Sequence, residues 1–280
     1  MSIRNRADSA TIPSLRQCLY VSYHAKEDSI MNSISHILTN VSHRPWSLPT
    51  LNWSYSQEWN NVLFLHWQIP ISKLSLLIPE ELNIDTINGA AWVSLVAFKM
   101  QKIRPRNSPS ISAISDFNEV NIRTYVSKDN KPGVYFLNIE AGKKLSAWIA
   151  KKVSGLPYEF ANITRRQTLG SNTYSSVNKR KRFSFESAFE IGQSINKVSE
   201  IDKWLTERYC LYQNISNRLY RYEVHHEKWP LYDIKLLNFK SDYRIGELIL
   251  QAKPDLAHYS TGVKVLAWQR EYLGISGTSS

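Results

Sequence analysis

The stretch FNEVNIRTYV, Phe117 to Val126, decides how this chain is read. At a period of two, Val120, Ile122, Thr124 and Val126 fall on one face of a strand. Glu119, Asn121, Arg123 and Tyr125 fall on the other. On an open sheet that second face meets water. On a sheet that closes, it turns inward and carries a carboxylate and a guanidinium with it. Glu119 and Arg123 lie about 13 Å apart along a strand, too far to pair directly but able to line one wall. Facing inward they cost several kcal/mol unless paired or bound to a ligand. On the functional reading Arg123 holds an anionic group, and Glu119 is acid, base or hydrogen-bond acceptor. The plain reading is a solvent-facing strand with cross-strand partners, or an internal salt-bridge network.

Strand signals surround this stretch. Asn61 to Gln68 is apolar and aromatic, and Ala90 to Met100 follows an Asn88-Gly89 turn. Ile122 to Val126 and Gly133 to Ile139 flank a hairpin turn at Lys128 to Pro132. Further strands are expected at Phe183 to Ile191, Leu219 to Val224, Tyr232 to Phe239 and Val263 to Trp268. Helices are fewer. One is expected from Ser72 to Ile78, stopped by Pro79, and one from Ala141 to Ser154, stopped by Gly155. On the second, Leu145, Trp148, Ile149 and Val153 form an apolar stripe, with Lys152 inside it. A third opens at Ser199 with Asp202 as capping partner, and is expected to run through Trp204, Leu205 and Tyr209. The expected class is α+β, a β-rich barrel with a few peripheral helices. Residues 1–42 are expected to form a poorly ordered extension, with Met31 an alternative start. Residues 43–273 form one domain, and 274–280 a flexible tail.

Composition narrows the function. The chain has 280 residues, a net charge of +11 and only 10 glycines, with no P-loop or GxGxxG. Its densest basic run, Lys179 to Arg182, reads as a solvated hairpin loop, and no RNA-recognition, zinc-finger or basic-zipper pattern accompanies it. No nucleic-acid partner is expected. No apolar run approaches the roughly 20 residues of a membrane span, and no secretory leader opens the chain, so no membrane partner and a cytoplasmic location are expected. Cys18 and Cys210 cannot by themselves form a thiolate metal site. No cofactor or metal is expected, and a homo-oligomer is left open.

Nine phrases in order carry a resemblance: WNNVLFLHWQIP (59–70), LIPEELNID (77–85), NGAAWVSLVAF (88–98), FNEVNIRTYV (117–126), GVYFLNIEA (133–141), GLPYEFA (155–161), LTERYCLY (205–212), HHEKWPLY (225–232) and HYSTGVKVLAW (258–268). The series resembles the YqjF family, a conserved domain of unknown function, over roughly residues 43–270. That family is similar in turn to the acetoacetate decarboxylases. The resemblance implies a β-barrel-like fold with a central cavity. It also matches Phe117-Asn118-Glu119 to a Tyr-x-Glu whose glutamate belongs to the active site.

Decarboxylase chemistry of that kind needs a desolvated lysine to form an imine. The resemblance leaves two registers. With Pro157 as the matching proline, Tyr158 and Glu159 replace both lysines of a Tyr-Pro-Lys-Lys; this register continues without a gap and is preferred. With the preceding helix matched instead, Lys151 and Lys152 lie close to the pair, and Lys152 is the one within the stripe. Snorkelling of Lys152 from the last turn is its plain reading. His66, between Leu65 and Trp67, reads as a hydrogen-bonded core residue before it reads as a ligand contact. His225 and His226 point to opposite faces of a strand and cannot readily share a metal. Glu207 and Arg208 are expected in salt bridges on the surface or between elements. The expected catalytic residues are therefore Glu119 and Lys152. The expected ligand-binding residues are Arg123, Asn121, Tyr125, His66, Tyr158 and His225. The expected ligand is a small organic anion, either acted on as a keto acid or related carbonyl compound, or simply bound or sensed.

Overall fold

A computed structural model describes residues 32–276 of the chain. The chain divides after Ser42 into two units. In the first, residues 32–39 form helix α1, within the stretch expected to lack order. The expectations for residues 1–31, Met31 among them, and for 277–280 fall outside the described residues.

In the second unit the elements follow in order: β1 (Tyr55–Ile69), α2 (Ile71–Ser75), β2 (Asn83–Ile84), β3 (Ala91–Pro105), α3 (Ser112–Ser115), β4 (Phe117–Lys128), β5 (Lys131–Ala141) and α4 (Lys144–Ser154). There follow β6 (Tyr158–Phe160), β7 (Asn162–Thr168), β8 (Ser171–Asn178), β9 (Phe183–Ser194), α5 (Glu200–Thr206), β10 (Cys210–Ile215) and β11 (Arg218–His226). The last are β12 (Leu231–Ile245), β13 (Leu248–Leu250), β14 (Leu256–Ala267) and β15 (Glu271–Ile275). Strands dominate, as the sequence leads one to expect.

Local chemistry accounts for the joints. The β4–β5 hairpin turns at Asp129 and Asn130, both at positive φ (52° and 59°), which these two residue types tolerate best after glycine. At the start of α5 the Ser199 hydroxyl accepts from Asp202 N, and the Asp202 carboxylate accepts from Ser199 N, a complete capping box. Helix α4 ends on Gly155 at φ 76°, whose N–H bonds Lys151 O.

Pairing runs β11-β10-β5-β4-β3-β1-β14, and β11 then pairs again with β14, so these strands form a closed circuit. The closing seam is short: Val224↔Ala267, His225↔Leu266 and His226↔Val265. From β14 the sheet also continues through β12, β9, β8 and β7 as a second leaf. Alternate residues of the shared strands therefore serve two cores. Leu63, Leu65, Val120 and Ile122 pack with Phe185, Phe189 and Tyr243 of the second leaf. Val62, Phe64, Val96 and Phe98 pack inside the circuit with Val224 and Val265.

One packing expectation fails. In α4 the buried residues are Ser146 and Ala147, while Leu145, Trp148 and Val153 are 56%, 61% and 57% exposed. The helix lies close over α3, where Ser146 Oγ donates to Ile114 O at 2.9 Å, and only small side chains fit that approach. Leu145 and Trp148 therefore face outward, and Lys152 is exposed with them, while Ile149 and Val153 of the stripe border the pocket. Helix α5 also ends earlier than expected, at Thr206, so that Tyr209 lies beyond it.

Candidate functional site

Inside the circuit lies a pocket of about 650 Å³. Both faces of β4 are buried, and its polar face supplies Glu119, Asn121 and Arg123 to the pocket wall. The remaining wall is mainly apolar, from β1 and β3 (Phe64, Val96, Phe98) and from Trp229 before β12. Helix α4 contributes Ile149 and Ala150.

Glu119 is 3% exposed. Its Oε1 accepts from Asn121 Nδ2 at 3.2 Å and its Oε2 from the Tyr158 hydroxyl at 3.0 Å. Burial outweighs both donors and raises its pKa to about 7. Burial, and then the neighbouring carboxyl, hold the Tyr158 phenol well above its ordinary value, so it stays a donor. Arg123, 9% exposed, donates through Nη2 to Leu205 O at 3.3 Å. Its Nε has no hydrogen-bond partner, and no carboxylate pairs with it among the described residues. Burial lowers its pKa. Asn121 Oδ1 is likewise without a donor. A buried guanidinium with spare donor capacity and, about 13 Å along the same strand, a carboxyl poised near neutrality face one pocket, a wall that suits an anion and can exchange a proton.

The other expected residues divide. Tyr158 lines the pocket. Tyr125 does not: its hydroxyl donates to Leu205 O at 2.8 Å, behind the Arg123 contact. His66 is fully buried away from the lining, with Nδ1 2.6 Å from Ser94 Oγ. His225 also lies off the lining, stacked on His43, and its neighbour His226 takes the pocket position. The strand alternation separated the two histidines without telling which one faced inward. Lys152 is exposed and not part of the wall. Among the described residues no lysine lines the pocket. Arg208, just past the early end of α5, makes the expected ion pair between elements, with Asp85 at 2.6 Å, but sequence reasoning did not place it on the pocket wall, where it also lies.

Behind the wall runs a buried chain of hydrogen bonds: Asp202 Oδ1 to His258 Nε2 (3.0 Å), His258 Nδ1 to His66 Nε2 (3.3 Å), then Ser94 Oγ, Tyr125 OH (2.6 Å) and Leu205 O. The Asp202 carboxylate and the Leu205 carbonyl only accept. The Tyr125, Ser94 and His66 protons must then all point toward Leu205, and neutral His258 can satisfy only one of its two neighbours. The chain is complete only with one additional proton on His258. Leu205 O, its far end, is also the acceptor for Arg123.

A family profile described as an uncharacterized conserved protein, DUF2071, matches residues 56–264. The YqjF protein of Bacillus subtilis (strain 168), itself described as uncharacterized, is 35% identical over 228 residues, 79% of this chain and 93% of that protein. Among solved structures, the enduracididine biosynthesis enzyme MppR complexed with pyruvate superposes with a TM-score of 0.55 at 13% identity, covering 83% of this chain and 94% of that one. An acetoacetate decarboxylase-like enzyme from Sphingomonas wittichii gives 0.55 at 12% identity, over 82% and 96%. An acetoacetate decarboxylase gives 0.57 at 11% identity, over 86% and 98%. At such identities these structures establish a shared fold.

Proposed function

Because the chain belongs to the DUF2071 family and has the acetoacetate decarboxylase-like fold, we propose that its pocket binds a small organic anion through Arg123, with Glu119 as the group that exchanges a proton with it. The observation that carries this reading is the Arg123 guanidinium, buried on the pocket wall without a carboxylate partner among the described residues. An anion entering the pocket supplies the counter-charge. The pyruvate bound by the fold neighbour is an anion of this kind.

Two versions follow. As an enzyme, the protein performs acid/base chemistry on a keto acid. Ionised Glu119 removes a proton from the carbon beside the carbonyl, the electron pair moves into the enolate, and the proton returns from the carboxylic acid so formed. As a binding or sensor protein, it holds the anion without turnover. The absence of lysine from the described pocket wall weighs against imine chemistry and keeps the second version in play. Solvent-deuterium exchange into a bound keto acid, followed by NMR, separates them. Exchange that disappears in Glu119→Gln supports the enzyme. Binding by calorimetry without exchange supports the binder. No saturable binding of any keto acid, with Arg123→Met indistinguishable from the parent, overturns both.

A further inference from the structure

Helix α4 leaves an apolar and strongly basic side in water. At 100° per residue, Lys151, Lys144, Trp148, Lys152 and Leu145 follow one another over an arc of about 120°, and all five are exposed. Ser146 and Ala147 are buried on the other side. Trp148 thus stands in the middle of an exposed face with lysines on both flanks. No acidic residue occurs between Gly142 and Ser154. Lys143, just before the helix, adds a fourth ammonium. Its Nζ donates to Ser112 O at 3.4 Å and Ala113 O at 3.2 Å, beside the exposed Ile111. Lys144 Nζ lies 5.4 Å from the centre of the exposed Phe160 ring. The carboxylate next to that ring, Glu159, is already paired with Arg180 and Lys181.

The pocket opens beside this face. Among the described residues that line it, those also exposed are Pro105, Pro109, Ile111, Val153, Gln269 and Arg270. They come from the end of β3 and the loop before α3, from the end of α4, and from the β14–β15 connection. Helix α4 therefore forms one lip of the mouth.

An exposed indole set among lysines is poorly suited to a protein partner, because the buried centre of a protein–protein interface is depleted in lysine. It suits an anionic bilayer. There the indole lies at headgroup depth with Leu145 below it, and each lysine stem runs along the apolar surface to put its ammonium among the phosphates. We propose that α4, centred on Trp148, seats the protein on an anionic lipid surface, with the mouth of the pocket at that surface. The seat is superficial. No helix of the described residues is long and apolar enough to cross a membrane, and lying in the interface needs none. The expectation of no membrane partner rested on the lack of a span and a leader, neither of which surface binding requires.

Sedimentation of the full chain with vesicles of phosphatidylcholine alone, and with vesicles in which phosphatidylglycerol replaces part of it, tests this. Binding is expected to the anionic vesicles only, and to weaken as salt rises. Lys144→Gln combined with Lys152→Gln is expected to weaken it roughly 25-fold, about fivefold for each lysine. Trp148→Ala is expected to weaken it about tenfold. Lys240→Gln combined with Lys253→Gln removes the same charge from exposed positions outside α4, and is expected to change binding by no more than about twofold. The melting temperature of each variant is read first to confirm folding. Three outcomes overturn the proposal: no binding to anionic vesicles, equal binding to both vesicle types, or equal weakening by the two lysine pairs. Salt-sensitive capture by polyglutamate without vesicle binding also overturns it, and assigns the face to an acidic polypeptide instead.

Discussion

The Tyr158 hydroxyl reaches Oε2 of Glu119 at 3.0 Å, and with Asn121 it makes up the hydrogen-bond support of a carboxyl that, among the described residues, has no cation beside it. Both donors favour the ionised form, yet burial dominates. Removing one in Tyr158→Phe should move the Glu119 pKa above its present value of about 7, at a stability cost of about 1 kcal/mol. A carboxyl-¹³C NMR titration reads the shift directly. A downward or absent shift would mean that Tyr158 does not support the carboxylate.

The pH dependence of stability has two opposed parts. Glu119 goes from 4.5 to about 7 on folding, so over that interval the folded chain binds more protons and stability falls as pH rises. His66, His226 and His258 are all lowered from 6.5, chiefly by burial. Their contribution is present above that pH and is lost as pH falls. In Glu119→Gln the first part vanishes. The variant should exceed the parent by something on the order of 3 kcal/mol at pH 8, at about 1.4 kcal/mol per pH unit, and should show little or no advantage near pH 4.5. Urea denaturation at the two pH values checks this, and an equal gain at both would refute it.

Arg123→Met separates stability from binding. Among the described residues the guanidinium is buried with one long hydrogen bond and no carboxylate, so an apolar side chain of similar length relieves its desolvation. The melting temperature should hold or rise. Anion affinity should drop at least tenfold, the effect of losing one charged hydrogen bond. A large fall in melting temperature would show that Arg123 is a structural residue instead.

Gly133 stands where β5 meets β10. A Cβ there would lie 2.6 Å from Cys210 O and 2.7 Å from its Sγ. The oxygen belongs to the backbone of the neighbouring strand and cannot swing aside. Gly133→Ala should lower stability by about 2 kcal/mol or more, as overpacked sites do, measured as a fall in the denaturant midpoint. An unchanged midpoint would mean that the parallel β5–β10 contact is loose.

How much of this could be read from the residues alone depended on what each inference needed. Alternation in FNEVNIRTYV, the Asp129-Asn130 turn, the Gly155 stop and the Ser199 box are local signals, and the structure contains all four. Strands β7 and β8, NITRRQT and SNTYSSVN, were missed because they end the second leaf and show little apolar alternation. The stripe of α4 was misjudged at Leu145 and Trp148, which stay exposed, because periodicity identifies an apolar face without saying which part of it a neighbour approaches. Whether His225 or His226 enters the pocket is a matter of register. That register is set by pairing with β14, about forty residues later.

The closed circuit also bears on when the pocket comes into being. β1 gains its β14 neighbour only through pairs such as Tyr55↔Ala267 and His66↔Leu256, and the seam to β11 uses the same far strand. During synthesis, β1, β3, β4 and β5 can pair in turn as they emerge, but with the inward side of Glu119 and Arg123 still open to water. The two charges remain hydrated until residue 267 has left the ribosome, and only then are they enclosed. Desolvating them is thereby deferred to a late, long-range closure.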